Sequence, residues 1–92
     1  MERNDAIKML NTAFQYKDKA KLLDVFKQEE GHLSQEDTDL QWYYNNTADK
    51  IFGSLIPGCI VVKTHEYAGI TIEQAGQRTL LLQEDILKLA TN

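Results

Sequence analysis

A chain of 92 residues, 42% hydrophobic and 26% charged, is long enough for one domain and too short for two, and this composition is that of a globular chain, not a disordered one. Ten basic residues against fourteen acidic ones give a net charge of −4, which argues against general binding to a phosphate backbone; only Arg3 and Arg78 offer the guanidinium fork that such recognition favours. The single cysteine rules out an intramolecular disulfide, no apolar run approaches the roughly 20 residues of a membrane span, and the start MERNDAIKML lacks the basic-then-apolar order of a signal peptide, so a cytoplasmic setting is expected.

Asn4 or Asp5 can cap a first helix, since their side-chain oxygens accept from free N–H groups one turn on. Ala6, Leu10, Ala13 and Phe14 then form an apolar stripe, with Ile7 beside it. At roughly 100° per residue, Leu22, Leu23 and Phe26 fall off that stripe on the far side. The spacing therefore predicts a break near Lys17–Lys19, with Asp18 capping a second helix to about Glu29, although one bent helix would also fit. Gly31 supplies the left-handed stop. Ser34, followed by Gln35-Glu36-Asp37, opens a third helix from about Gln35 to Leu55. Leu40, Tyr44, Thr47, Ala48, Ile51 and Leu55 define its expected buried face, and Pro57-Gly58 turns the chain out of it.

The stretch Cys59–Leu82 alternates apolar and polar residues and reads as three strands. Ile60 and Val62 share one face of the first, Val61 and Lys63 the other. In the second, Ile70 and Ile72 point inward and Thr71 and Glu73 outward; in the third, Leu80 and Leu82 oppose Leu81. Gly69 and Gly76 mark the reversals, and Gln74-Ala75-Gly76-Gln77 is a tight turn. Glu84-Asp85 then favour a short helix carrying Ile86, Leu87, Leu89 and Ala90. The expected fold is α+β in a single domain: about three N-terminal helices (residues 1–56) packed on a three-stranded antiparallel meander with a short C-terminal helix (residues 57–92). A winged helix has a similar order, but the third helix carries Lys50 as its only basic residue and begins with Glu36, Asp37 and Asp39. A small barrel formed after Pro57 would have only about 35 residues, too few to close comfortably.

Catalytic signatures are missing. His65-Glu66 opens like the zinc motif H-E-x-x-H but continues Tyr67-Ala68-Gly69 without the second histidine, and His32 is remote in sequence. Cys59 opens a strand, where a thiol commonly packs as a small hydrophobe. There is no G-x-S-x-G, no glycine-rich phosphate loop and no cysteine pair. A non-enzymatic protein without catalytic residues, metal or cofactor is expected.

Three groups remain as binding candidates. Glu29, Glu30, Glu36, Asp37 and Asp39 form an acidic cluster; Glu36 and Asp37 suit the positive end of their own helix, but Glu29 and Glu30 sit at a C-terminus, where negative charge is unfavourable. Trp42 lies roughly 160° from the centre of the third helix's expected buried face, with Tyr43 on the flank; if the helix packs on one side only, Trp42 is exposed as an interface anchor, and otherwise a second layer such as the first helix covers it. His65 and Tyr67 near one hairpin loop and Arg78 after the next could combine an aromatic platform with an anion clamp. The expected function is a small regulator or inhibitor that binds another protein, one with a basic surface, and also itself. A small-ligand binder for a nucleotide or metabolite is the alternative, and winged-helix nucleic-acid binding comes last; no membrane contact is expected.

Overall fold

The N-terminal helix does not break. In the computed structural model, which describes Met1–Asn92, α1 runs unbroken from Arg3 to Glu30. Ala6, Leu10, Ala13, Lys17 and Ala20 recur at alternating steps of four and three, the 3.5-residue repeat of a supercoiled seam. On a slightly underwound helix that repeat stays on one side and carries Leu23 into its flank. On a straight 3.6-residue helix Leu23 drifts off, which is why the spacing pointed to a break. Leu23 is buried, whereas Leu22, Val25 and Phe26 are exposed. Lys17 occupies a seam position by bonding across it: its Nζ donates to Asn45 Oδ1 at 3.2 Å and pairs with Asp49 at 2.9 Å. Gly31 ends the helix at φ 84°, its N–H donating to Lys27 O at 2.7 Å.

Helix α2 spans Gln35–Leu55, and Ser34 Oγ accepts from the Asp37 N–H at 3.1 Å. The seam it turns toward α1 is Gln41, Asn45, Ala48, Phe52 and Leu55, again in steps of four and three. Gln41 Nε2 donates to Ala20 O at 3.1 Å, and the Phe52 ring meets Phe14 edge-on at 5.6 Å. The expected buried face is thereby corrected. Ala48 and Leu55 are buried as anticipated, Tyr44, Thr47 and Ile51 only partly so, and Leu40 is 43% exposed. Phe52, outside the expected set, is wholly buried. Gln41 and Asn45 hold seam positions that an apolar pattern search passes over, so the apparent centre of the face was displaced.

Strands β1 (Ile60–Thr64), β2 (Gly69–Gln74) and β3 (Gln77–Leu82) form an antiparallel meander in that order. The two-residue turn Ala75-Gly76, with φ of 53° and 79°, sets the β2–β3 register, pairing Glu73 with Arg78 and Ile70 with Leu81. A bulge at Val62 shifts β1 between Val61 and Lys63, so that Val61 and Thr64 both turn toward the core beside Ile72 and Ile70. At Gly69 a Cβ would run into the Leu81 carbonyl and lie 3.1 Å from Leu82 Cα, so this position admits only glycine without backbone movement. Helix α3 (Gln83–Thr91) starts where Asp85 Oδ2 accepts from the Leu82 N–H at 3.0 Å, and it buries Ile86 and Leu87.

The α+β architecture is as expected, with two helices before the sheet where about three were foreseen, and so without the three-helix lead of a winged helix. The core sits where the helical hairpin, the sheet and α3 meet. Between Lys21 and Thr47 only Leu23 is buried, so the far half of the hairpin has little beneath it. The molecule measures 44 × 29 × 20 Å with a radius of gyration of 14.0 Å, above the roughly 12 Å of a compact chain this long. No helix is long and apolar enough to cross a membrane.

Candidate functional site: an exposed aromatic and apolar surface

Trp42 is 67% exposed, the most open of the large apolar side chains. Its position follows from the seam: Gln41 and Asn45 turn toward α1, so residue 42 is swung out to the hairpin's flank. Tyr43 is half exposed and lies edge-on to Tyr16 of α1 at 6.2 Å, while Tyr44 meets Tyr16 at 6.0 Å and Tyr43 at 5.9 Å. Lys19 Nζ lies 5.4 Å from the Tyr16 ring centre and 5.6 Å from that of Tyr44, within cation–π range of both. A three-tyrosine, one-lysine cluster thus bridges the two helices. Sequence reasoning missed Tyr16, Lys19 and Tyr44 as a unit because a broken α1 would not have aligned them.

The acidic residues do gather, at the tip of the hairpin. Glu29, Glu30, Glu36 and Asp39 are exposed and Asp37 half-buried. Asp39 accepts from Gln35 Nε2 at 2.9 Å. Glu30 and Asp37 line a shallow cleft of about 290 Å³ together with Phe26, His32, Leu33 and Ser34, so acid and apolar surface adjoin there.

The three sheet candidates do not converge. His65 Nε2 bonds Thr71 Oγ1 at 2.8 Å, and Tyr67 packs against Phe14 at 5.4 Å while its backbone carbonyl accepts from Gln83 Nε2. Arg78 stands at the other end of the sheet, opposite Glu73. Asp18 beside the Tyr67 hydroxyl raises that phenol above its ordinary value, by hydrogen bonding first and by burial and charge after.

Cys59 is half-buried, its Sγ 3.8 Å from Phe52 O, and desolvation raises its pKa against a lowering backbone hydrogen bond. No three histidine, cysteine, aspartate or glutamate side chains stand where they could hold a metal ion together. A second cleft of about 270 Å³ lies between α1 and β1, lined by Lys17, Lys21, Asp24 and Asn45 and by Val61–Thr64.

The outer face of the sheet carries a further apolar set. Ile60, Val62, Leu80 and Leu82 are all exposed, Leu80 across from Thr71 and Leu82 across from Gly69. This outcome was derivable: once Ile70 is inward and the turn is two residues long, Leu81 must be inward and its neighbours outward. Comparison with protein-family models, with curated proteins and with solved structures finds no match.

Proposed function

We propose that this chain is a non-enzymatic protein-interaction module, a small cytoplasmic regulator or inhibitor that works by occupying the surface of another protein. One observation carries the reading. Thirteen large apolar side chains are exposed, while the fourteen buried apolar residues include four alanines and so only ten large ones. A chain that keeps more large apolar groups outside than inside has surface to bury against a partner. Trp42 is the natural anchor, because a protruding indole fills a partner's pocket at little entropic cost. The acidic hairpin tip adds a preference for a partner with a basic surface, acting mainly on encounter rate and specificity. A composite small-ligand site loses its support, since Arg78 is remote from His65 and Tyr67.

The test places a photo-reactive benzoylphenylalanine at position 42 in the native host. A discrete cross-linked product containing a second protein is expected, and it should vanish when the probe is moved to the sheet-end residue Arg78. With the probe placed instead at exposed Asp39, one turn away, Trp42→Ala should abolish capture while leaving the circular dichroism spectrum and melting temperature unchanged, because this side chain is outside the core. Absence of any product at 42, together with a melting temperature raised by a nucleotide panel, would reassign the protein to ligand binding.

A further inference from the structure

We infer that the free edge of β3 is a homodimer interface, at which a second copy adds its own β3 antiparallel to make one continuous sheet of twice the strands. This edge belongs to the sheet and Trp42 to α2, so the dimer stands whether or not Trp42 anchors another protein.

The backbone decides which groups are free. In an antiparallel pair, successive residues turn their N–H and C=O alternately toward the neighbouring strand and away from it. The two-residue turn makes Gln74 and Gln77 the closing hydrogen-bonded pair, so Gln77, Thr79 and Leu81 face β2. Two bonds at the far end of the strand agree. The Gln83 N–H donates to Ala68 O at 3.2 Å, on the β2 side, while the Leu82 N–H turns the other way to Asp85 Oδ2 at 3.0 Å. Arg78 and Leu80 therefore direct both backbone groups outward, where β3 has no neighbouring strand. Both residues are exposed, and so are Gln77 and Thr79 on the inner face, so no helix overhangs this part of the edge.

The two edges of the sheet differ. The bulge at Val62 bends β1, and the cleft against α1 runs along Val61–Thr64, so that edge is kinked and flanked by helix. β3 pairs with β2 in unbroken register from Gln77 to Leu82, contains no proline and has Arg78 as its one charge. A straight edge of this kind accepts another strand, and a bent one resists it. Joining β3 to β1 of the next copy would propagate without end; joining β3 to β3 closes at two copies.

Only one register satisfies the edge. A two-fold normal to the sheet at Thr79 sets Arg78 opposite Leu80 of the second copy, and Leu80 opposite its Arg78. Each pair exchanges two bonds, so every free N–H and C=O of Arg78 and Leu80 in both copies finds a partner. An axis at Arg78 would oppose like charges, and one at Gln77 would require Gly76, which is in the turn. An axis at Leu80 would pair Arg78 with Leu82, and one at Leu81 would pair Leu80 with Leu82, whose N–H Asp85 already holds. With the axis at Thr79, each Arg78 stays across from its own Glu73 and lays its apolar stem beside Leu80 of the second copy, a side chain 57% exposed in the single chain. The two Thr79 side chains meet directly across the axis, a pairing in which hydroxyls bond each other.

Sedimentation velocity of the full chain from about 1 to about 500 µM tests this, a wide range because so few backbone bonds make a weak dimer. The expected result is a species of twice the 10.5 kDa chain mass at the upper concentrations. Arg78→Pro deletes an outward N–H, which an edge strand tolerates, and so removes half of the intermolecular bonds; the dimer Kd should rise at least about tenfold. Arg78→Thr keeps that N–H and should change Kd by less than about threefold. Thr79 is exposed, so Thr79→Lys and Thr79→Glu should each leave the circular dichroism spectrum unchanged and each be monomeric alone, while an equimolar mixture of the two should dimerise again. A monomer at every concentration overturns the inference, as does a dimer indifferent to both Arg78→Pro and the Thr79 changes. A dimer weakened by Arg78→Pro whose Thr79 variants fail to complement each other overturns the axis at Thr79. If Arg78→Pro does not fold, the mixing experiment decides alone. None of these outcomes bears on cross-linking at position 42, so the two readings fail separately.

Discussion

Phe52 and Leu40 offer the sharpest trial of how α2 sits in the fold. Phe52 is fully buried and edge-on to Phe14, while Leu40 is 43% exposed and was the first residue of the face that apolar spacing selected. Phe52→Ala removes a ring from the centre of the core, loses an aromatic pair and leaves a cavity that Phe14, Ala48 and Leu55 cannot fill, since all three are themselves pinned by packing. Such truncations cost about 3–5 kcal/mol. A chain of this length has a total stability of about 5–14 kcal/mol, so the variant should be marginal, with a melting temperature lower by about 20 °C. Leu40→Ala removes a side chain already half in water and should cost under about 1 kcal/mol. Urea unfolding monitored by far-ultraviolet circular dichroism gives both values. It should be run at two protein concentrations fifty-fold apart, because the stability of a self-associating chain depends on its concentration. If Leu40→Ala proves costlier than Phe52→Ala at both concentrations, α2 is rotated from the orientation described and the seam built on Gln41, Asn45, Ala48, Phe52 and Leu55 is wrong.

Two further expectations concern the sheet. Ala75 holds φ 53° in the two-residue turn, a left-handed conformation that asparagine tolerates far better, so Ala75→Asn should stabilise the protein by about 0.5–1 kcal/mol; a lower urea midpoint would contradict the turn geometry. Stability should also fall on the alkaline side. The folded-state pKa values of Cys59 and Tyr67 are raised above ordinary values of 9.0 and 10.0, so the unfolded chain releases these protons first. Their contribution is therefore intact below about pH 9 and is lost as pH climbs through the folded values. In line with this, Cys59 should react with a thiol reagent more slowly at pH 8 than it does in the urea-unfolded chain, and an equal or faster rate would refute the raised value.

Much of this molecule was legible before any coordinates. Pro57-Gly58, Gly31, Ser34 and the Gln74–Gln77 turn fixed where elements begin and end, because each acts through its own backbone or a bond within one turn. The inward set Ile70 and Ile72 and the grouping of acids at one end of the hairpin were equally local inferences, whereas the exposure of Trp42 stayed open until the packing of α2 was known.

What the chain alone did not decide was how neighbouring elements bear on one another. Lys17 reads as a break in an apolar stripe until Asn45 and Asp49, 28 and 32 residues later, are brought across from it. Gln41 reads as a surface residue until its amide reaches Ala20 O. The bulge at Val62, which turns Val61 and Thr64 inward together, depends on how β1 must bend to meet β2. Apolar periodicity reports the free energy of leaving water, which each residue carries with it. A polar seam position reports a partner, and a partner belongs to the tertiary structure.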